Sequence, residues 1–538
     1  MKKILFFALT LWAFVVLGAY YLSYPFPLIP ILLEIGLLTI LLFLAICLGR
    51  KILRHFKVKF NSFFEENLFS IGLGLGIISY SVLGLGLLGL LYHWLFSILL
   101  VILTIFLSSE IKETLKGIWQ RVTNISRERF TPLNITLGAI IIGVVLINLI
   151  GALAPSVPIT SMSYDSSVYH LAVPNIYLQH QRIIPVSFNL YSNFPFTGEM
   201  LYLLALLLKC DILAKLIHFT FGILISLAIY SFSRRYFNPR IALLAAAIFY
   251  TIPYVALVST MALVDLTLGF FSFLAIYALI SYFHSKKFNW LILSGINCGL
   301  ALGTKYTAWL LLFVILILGL FFKSLIEDRE RIGISLKRVF IFAAIALAVA
   351  SPWYLKNIAF TGNPIYPFLY KIFGGRYWSE FNAQRWMEHL RAQGLGYTNL
   401  RNYFKLPWVA TMKTRFLGGG LIGPLFLIFL PGFLFLRKWD KNLRYLVVYG
   451  GGYSLFWALS QQFMRSLLPL LPALSIIFAY LIIQLSQKGR TVSRIIILVV
   501  GLTFCFNLFW IAIQSGYFDP LKVVVGLESR DEYLSRRT

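Results

Sequence analysis

Carboxylates are scarce in the apolar stretches of this chain, so the positions of the few present are informative. Ahead of the second long polar segment, and outside the short basic loops, the sequence offers Asp165, Glu199, Asp211 and Asp265, with Glu34 inside an apolar run. An acid at membrane depth or at its border is costly to hold and marks a candidate functional site. Asp165 stands in "YDSSVYHLAVPNIY" (Tyr164–Tyr177), where Val168, Leu171, Ala172 and Ile176 approximate the apolar stripe of a helix. Tyr169 falls one turn beyond Asp165 on the same face. Such an acid can cap the helix, serve as a base, or do both. His170 and His180 share the segment, but their spacing suits no helical metal pair, which leaves hydrogen-bonding or surface roles. Asp265, in "STMALVDLTLGFF", begins an apolar span where the helix dipole favours a carboxylate. It also stands where a second acid reaches the same cavity as Asp165.

Two cations sit at the same expected level. Lys305 lies in "GLALGTKYTAWLL" between two short apolar stretches, and Arg465 lies in "SQQFMRSLLPLLP" beside Gln461 and Gln462. Each is either a side chain snorkelling from a helix end or a ligand of phosphate oxygens, for which the guanidinium fork is well suited. Carboxylates and cations converging on one membrane-level pocket describe a site for an anionic phosphate and a hydroxyl-bearing partner.

The elements that must hold these residues are membrane spans. Of 538 residues, 59% are hydrophobic and 12% charged, and the mean hydropathy is +0.83, the composition of an all-α polytopic membrane protein. About fifteen transmembrane helices are expected, near 4–23, 28–48, 68–87, 89–108, 133–153, 212–231, 241–259, 263–282, 289–304, 306–322, 338–355, 420–437, 443–460, 466–485 and 494–514. The net charge of +27 does not point to nucleic acid, because the basic residues lie in short loops between spans instead of on one face or arm. With the amino terminus in the cytoplasm, loops such as "RKILRHFKVK", "RRYFNPR" and "QKGRTVSR" all fall inside, as the positive-inside rule requires. The opening apolar run reads as an anchor retained in the protein rather than a cleaved signal peptide. Two long segments, 154–211 and 356–415, then fall outside, and so does the carboxyl terminus. Within the first, "GEMLYLLALLLK" is too short to span and is expected to form a re-entrant or interfacial helix. The second is basic, with Lys356, Arg376, Arg385 and Arg391 among its cations, which suits an anionic ligand or reflects the exemption of long loops from the charge rule. The four cysteines form no CxxC pair, and no internal repeat of the transporter kind is visible. The expected organisation is additional N-terminal helices over 1–132, a catalytic membrane region over 133–515, and an extracytoplasmic tail over 516–538 that reads as the approach to a further domain.

Asp165 with its following segment, "FPFTGEMLY", "VDLTLGFF", "LGTKYTAWLL", "SPWYLKNIAFTGNPIYPF" and "QQFMRSLLPLLP" together resemble the integral-membrane glycosyltransferases of the GT-C fold. The resemblance is to the bacterial protein O-mannosyltransferase and lipid A aminoarabinose transferase group, and it covers residues 135–515. It implies a sugar donor on a polyprenyl phosphate and a lipid, glycan or protein acceptor with a hydroxyl group. In that scheme Asp165 is the general base and Asp265 a second acid, with Lys305 and Arg465 as ligands of the donor phosphate. Tyr164, Tyr169, His170, Glu199, Lys356 and Gln462 are further pocket candidates. Many members carry two adjacent acids in the first outer loop, whereas Asp165 is flanked by Tyr164 and Ser166. Some relatives use a divalent metal, and this sequence leaves that cofactor open. A single displacement predicts inversion at the anomeric carbon. The rival readings are a flippase for lipid-linked sugars and a surface-polysaccharide polymerase or ligase, the latter shifting weight to Arg376, Arg385 and Arg391.

Overall fold

A computed structural model describes residues 2–23, 27–123, 131–156, 163–392, 400–436, 438–460 and 462–536. Among these residues there are helices and turns but no strand, as expected where hydrocarbon forces every backbone N–H and C=O to pair within its own segment. Nine helices among the described residues are long and apolar enough to cross a membrane, and two bent pairs raise this to eleven. The other four expected spans are also helical. They correspond to the helices Lys2–Ser23, Phe288–Leu302 and Lys441–Ser460 and to the short helical stretch that begins at Leu425.

Burial separates the centre of the bundle from its rim. Helix Asp265–Ser285 has 94% of its apolar window buried and helix Asp211–Tyr236 has 83%, against 22% for Pro132–Leu153 and 17% for Ile332–Thr361. The Asp265–Ser285 helix packs against Phe288–Leu302, against Asp211–Tyr236 and against the 3₁₀ turn Met464–Leu470. The bend of 66° between Pro239–Tyr250 and Pro253–Ser259 falls at Pro253, which has no N–H to continue the ladder. The central helices therefore end at one level, where Asp265 starts one helix, Lys305 follows another and Arg465 lies in the 3₁₀ turn.

The first polar segment departs from the expected helix. A π turn, Ser166–His170, precedes the helix Ala172–Gln179. The π turn inserts a residue and rotates the buried face, so Ser166, Tyr169, His170, Val173 and Tyr177 are buried while Val168, Leu171, Ala172 and Ile176 are only half-buried. Helix Thr197–Leu208 is the short helix expected to be re-entrant or interfacial. It is buried along nearly its whole length, packed against the helices Phe63–Leu87 and Asp211–Tyr236. Helix Ile332–Thr361 runs past the expected end at 355, so Lys356 belongs to a helix and not to a loop. The described part of the tail packs on the bundle. Ser529 and Glu532 form a capping box, Tyr533 is buried, and Arg530 Nη2 pairs with Asp211 Oδ1 at 2.9 Å.

The N-terminal hairpin of Leu28–His55 and Phe63–Leu87 depends on glycine. A Cβ at Gly49 would overlap the backbone of Ser70, and one at Gly74 would overlap the backbone of Ala45, the close approach that small residues permit between membrane helices. Gly74→Val is expected to lower the thermal unfolding midpoint of the detergent-solubilised protein by several degrees, because backbone cannot move aside as a side chain can. Substitution of Gly36, with open space around it, is expected to leave the midpoint unchanged.

Candidate functional site

Asp265 is the innermost charge of the site. Its side chain is 1% exposed, and Lys305 Nζ donates to Oδ1 at 2.8 Å while Arg465 Nε pairs with Oδ2 at 2.8 Å. Arg465 reaches in the opposite direction through Nη1 to Asp165 Oδ2. The four side chains thus form one chain of charge, Asp165, Arg465, Asp265, Lys305. It opens outward from the 1% exposure of Asp265 to 22% for Lys305 and 24% for Asp165. Arg465 Nη2 is buried and has no hydrogen-bond partner, so one donor of the fork is left to face something else. Asp165 does not cap its helix. It has helical backbone angles and no capping bond, and its carboxylate is committed to Arg465. Burial raises the Asp165 carboxyl pKa, but Arg465, then His170 and Lys305, outweigh that and hold it below the usual carboxylate range.

A second buried pair lies beside the chain. His170 Nδ1 and Glu199 Oε1 are 2.7 Å apart, with side chains 1% and 2% exposed. Tyr169 stacks on Tyr191 with centroids 4.5 Å apart, and Tyr191 meets Trp386 of helix Glu380–Arg391 edge-on at 5.8 Å. Burial, then the Asp165 carboxylate, push the Tyr169 hydroxyl pKa far up, which keeps it neutral. The second long segment thus reaches the aromatic side of the site through Trp386.

The supports are backbone contacts. Thr197 binds Gly303 O through both its N–H, at 3.0 Å, and its hydroxyl, at 2.7 Å. That ties the start of the Glu199 helix to the turn carrying Lys305. His218 accepts the Leu266 N–H at Nε2, 3.3 Å away, while its Nδ1 is 3.0 Å from Val258 O. The ring is thus the Nδ1–H tautomer and satisfies a free amide at the start of the Asp265 helix.

The other candidates fall elsewhere. Gln462 is fully buried and its Nε2 donates to Ala458 O at 3.0 Å, in the helix that precedes it; Gln461 lies outside the described residues. Lys356 is buried against the rings of Phe196, Trp353 and Phe360 and donates to Ser192 O at 3.0 Å. Tyr164 is 44% exposed at the rim. Asp211 belongs to the tail contact, and its Oδ2 accepts from Ser156 N–H. Glu34 meets Cys210 Sγ at 3.0 Å. Sequence reasoning missed His218, Tyr191 and Trp386. Only the density of aromatics around Tyr191 and Trp386 was available as a signal, and nothing in the spacing marks His218. Among the described residues no three His, Cys, Asp or Glu side chains gather as metal ligands.

Residues 201–355 match the family described as dolichyl-phosphate-mannose-protein mannosyltransferase, which bears out the resemblance to membrane glycosyltransferases of the GT-C fold. Among curated proteins none matches the chain. Among solved structures, ArnT from Cupriavidus metallidurans bound to undecaprenyl phosphate is similar at 16% identity over 74% of this chain and 67% of that one, with a TM-score of 0.44. For ArnT from the same organism in the apo state the identity is 16%, the TM-score is 0.43, and the match covers 64% of this chain and 59% of that one. The Archaeoglobus fulgidus oligosaccharyltransferase in complex with Zn and sulfate is similar at 16% identity over 70% of this chain and 53% of that one, with a TM-score of 0.45.

Two outcomes follow from the geometry. Asp265→Asn removes the buried carboxylate that Lys305 and Arg465 share, leaves Lys305 without its acid, and is expected to cost about 3–5 kcal/mol of stability, read as a large fall in unfolding midpoint. Asp165→Asn, at the open end, is expected to cost less. The folded-state pKa of Asp165 is depressed, so its contribution is present above the unfolded value of about 4 and is lost as pH falls through the folded one. The difference in midpoint between wild type and Asp165→Asn should therefore be constant at neutral pH and close only in acid below about pH 4.

Proposed function

We propose that the protein is a glycosyltransferase that moves a sugar from a polyprenyl-phosphate donor to a hydroxyl acceptor at the outer face of the membrane. The observation that carries this reading is the run of alternating charges from Asp165 to Lys305, with one guanidinium nitrogen of Arg465 unpartnered. The match of residues 201–355 to mannosyltransferases named for a polyprenyl-phosphate sugar supports the donor class. Orientation is supported by charge: Asp265 opens a helix of 21 residues, roughly 30 Å long, whose other end leads to Lys286 and Lys287, so the site lies opposite the basic end.

The reaction this arrangement suits is a single displacement. The acceptor oxygen attacks the anomeric carbon and its proton passes to Asp165. The bond from that carbon to the phosphate oxygen breaks, and its electron pair leaves with the polyprenyl phosphate. The charge growing on the phosphate is met by Arg465 Nη2 and Lys305, with Asp265 holding both cations in place. In the resting site Asp165 is bound to Arg465. An arriving phosphate competes for the guanidinium and loosens Asp165 at the moment a base is needed.

The test is a proteoliposome assay with polyprenyl-phosphate sugars and a membrane extract as acceptor. Asp165→Asn is expected to slow transfer by about 10²–10⁴-fold with donor binding nearly intact. Equal loss of binding and turnover would make Asp165 structural. Arg465→Gln and Lys305→Gln are expected to weaken donor binding as well as turnover, and unchanged donor affinity in both would remove them from the phosphate site. Product stereochemistry should be inverted; retention would rule out the single displacement.

A further inference from the structure

Helix Ser108–Thr123 lies far from the charged site along the chain and takes no part in the proposed transfer. It follows His93–Phe106 at a bend of 67°. It carries Glu110, Lys112, Glu113, Lys116 and Arg121, more charge than a segment in hydrocarbon tolerates. At 100° per residue its side chains sort onto three faces.

One face is turned to the protein. Thr114 is 1% exposed and accepts from Arg50 Nη1 at 3.0 Å. Glu110 is buried beside Lys51 and Arg54, each at 3.5 Å. Arg121 lies over the Phe63 ring at 4.2 Å, and a Cβ at Gly117 would meet the same ring. The second face is apolar and uncovered, with Leu115 53%, Ile118 40% and Trp119 69% exposed. The third bears Lys112, Lys116 and Gln120, all exposed. Glu113 is paired with Arg54, whereas among the described residues neither Lys112 nor Lys116 pairs with a carboxylate.

We propose that this helix lies in the plane of the membrane–water interface and seats on a surface of anionic phospholipid. Three observations select that occupant. The apolar face follows directly in sequence on helix His93–Phe106, where Ile98, Val101, Ile102, Ile105 and Phe106 are exposed apolar side chains. The pairs with Lys51 and Arg54, near the end of helix Leu28–His55, set it at the level where that span leaves the membrane. Lys112 and Lys116 both lie just beyond Trp119 on the same side of the wheel, which puts two uncompensated cations along one edge of the apolar stripe, the pattern that binds anionic headgroups. This inference rests on the chain being a membrane protein and is independent of the transferase reading.

The test uses the full chain in vesicles of phosphatidylcholine with or without phosphatidylglycerol. Nitroxide labels are placed one at a time by Leu115→Cys, Trp119→Cys and Gln120→Cys, in a background with Cys210→Ser and Cys505→Ser. Labels at 115 and 119 are expected to collide readily with oxygen and poorly with a water-soluble nickel chelate, and the label at 120 should show the reverse. Phosphatidylglycerol is expected to increase the shielding at 119 several-fold, and Lys112→Gln with Lys116→Gln to abolish that increase. Equal nickel access at all three positions would overturn the proposal in favour of a helix in water. Equal shielding at all three would overturn it in favour of a buried span. Shielding unaffected by phosphatidylglycerol would overturn the preference for anionic lipid.

Discussion

The site depends on a carboxylate that is costly to keep where it is. Asp265 sits, with almost no exposed surface, at the start of the most buried of the long apolar helices among the described residues. A charge so placed persists only because two cations meet it, one on each oxygen. Lys305 comes from the turn after helix Phe288–Leu302, and Arg465 from a 3₁₀ turn that precedes another helix. One buried acid therefore fixes the relative positions of three chain segments distant in sequence. Asp165 joins from a fourth by sharing the guanidinium. Removing the acid would take away the contact these segments share, which is why the packing at the centre of the bundle and the charge at its end are a single problem.

Around that pairing the structure adds neutral clamps. Thr197 holds Gly303, His218 holds the Leu266 amide at the start of the Asp265 helix, and the aromatic cluster of Tyr169, Tyr191 and Trp386 connects the two long polar segments. None of these carries charge at the site. They position the acids and cations without altering the balance among them.

The sequence was most legible where physics leaves few choices. Long apolar runs in a chain this hydrophobic become helices, and each expected span is helical. Asp165, Asp265, Lys305 and Arg465 were singled out because charges are rare at such depth, and the structure brings those four into one chain. What could not be read was pairing. The sequence offers cations as ready for a ligand, whereas in the fold both are held by acids. Lys356 was counted as a loop cation because the helix was expected to stop short of it. Gln462 was singled out by its neighbours, and nothing in the spacing showed that its amide nitrogen would bond to Ala458 O of the preceding helix. The apolar stripe after Asp165 was misjudged because a π turn shifts the period, and no residue type announces a π turn. His218 was missed because a buried histidine bonded to backbone has no signature in spacing.

The four charges from Asp165 to Lys305 sum to zero. Seen from more than a few ångströms away, such a set is close to a multipole, and its field fades faster than that of a net charge. It therefore exerts little pull on an anion beyond contact range and gives dissolved salt little to screen. An anion approaching this pocket gains little from these four charges until it is in contact with them. What such a set can distinguish, it distinguishes at short range, by the fit of a ligand to the guanidinium fork.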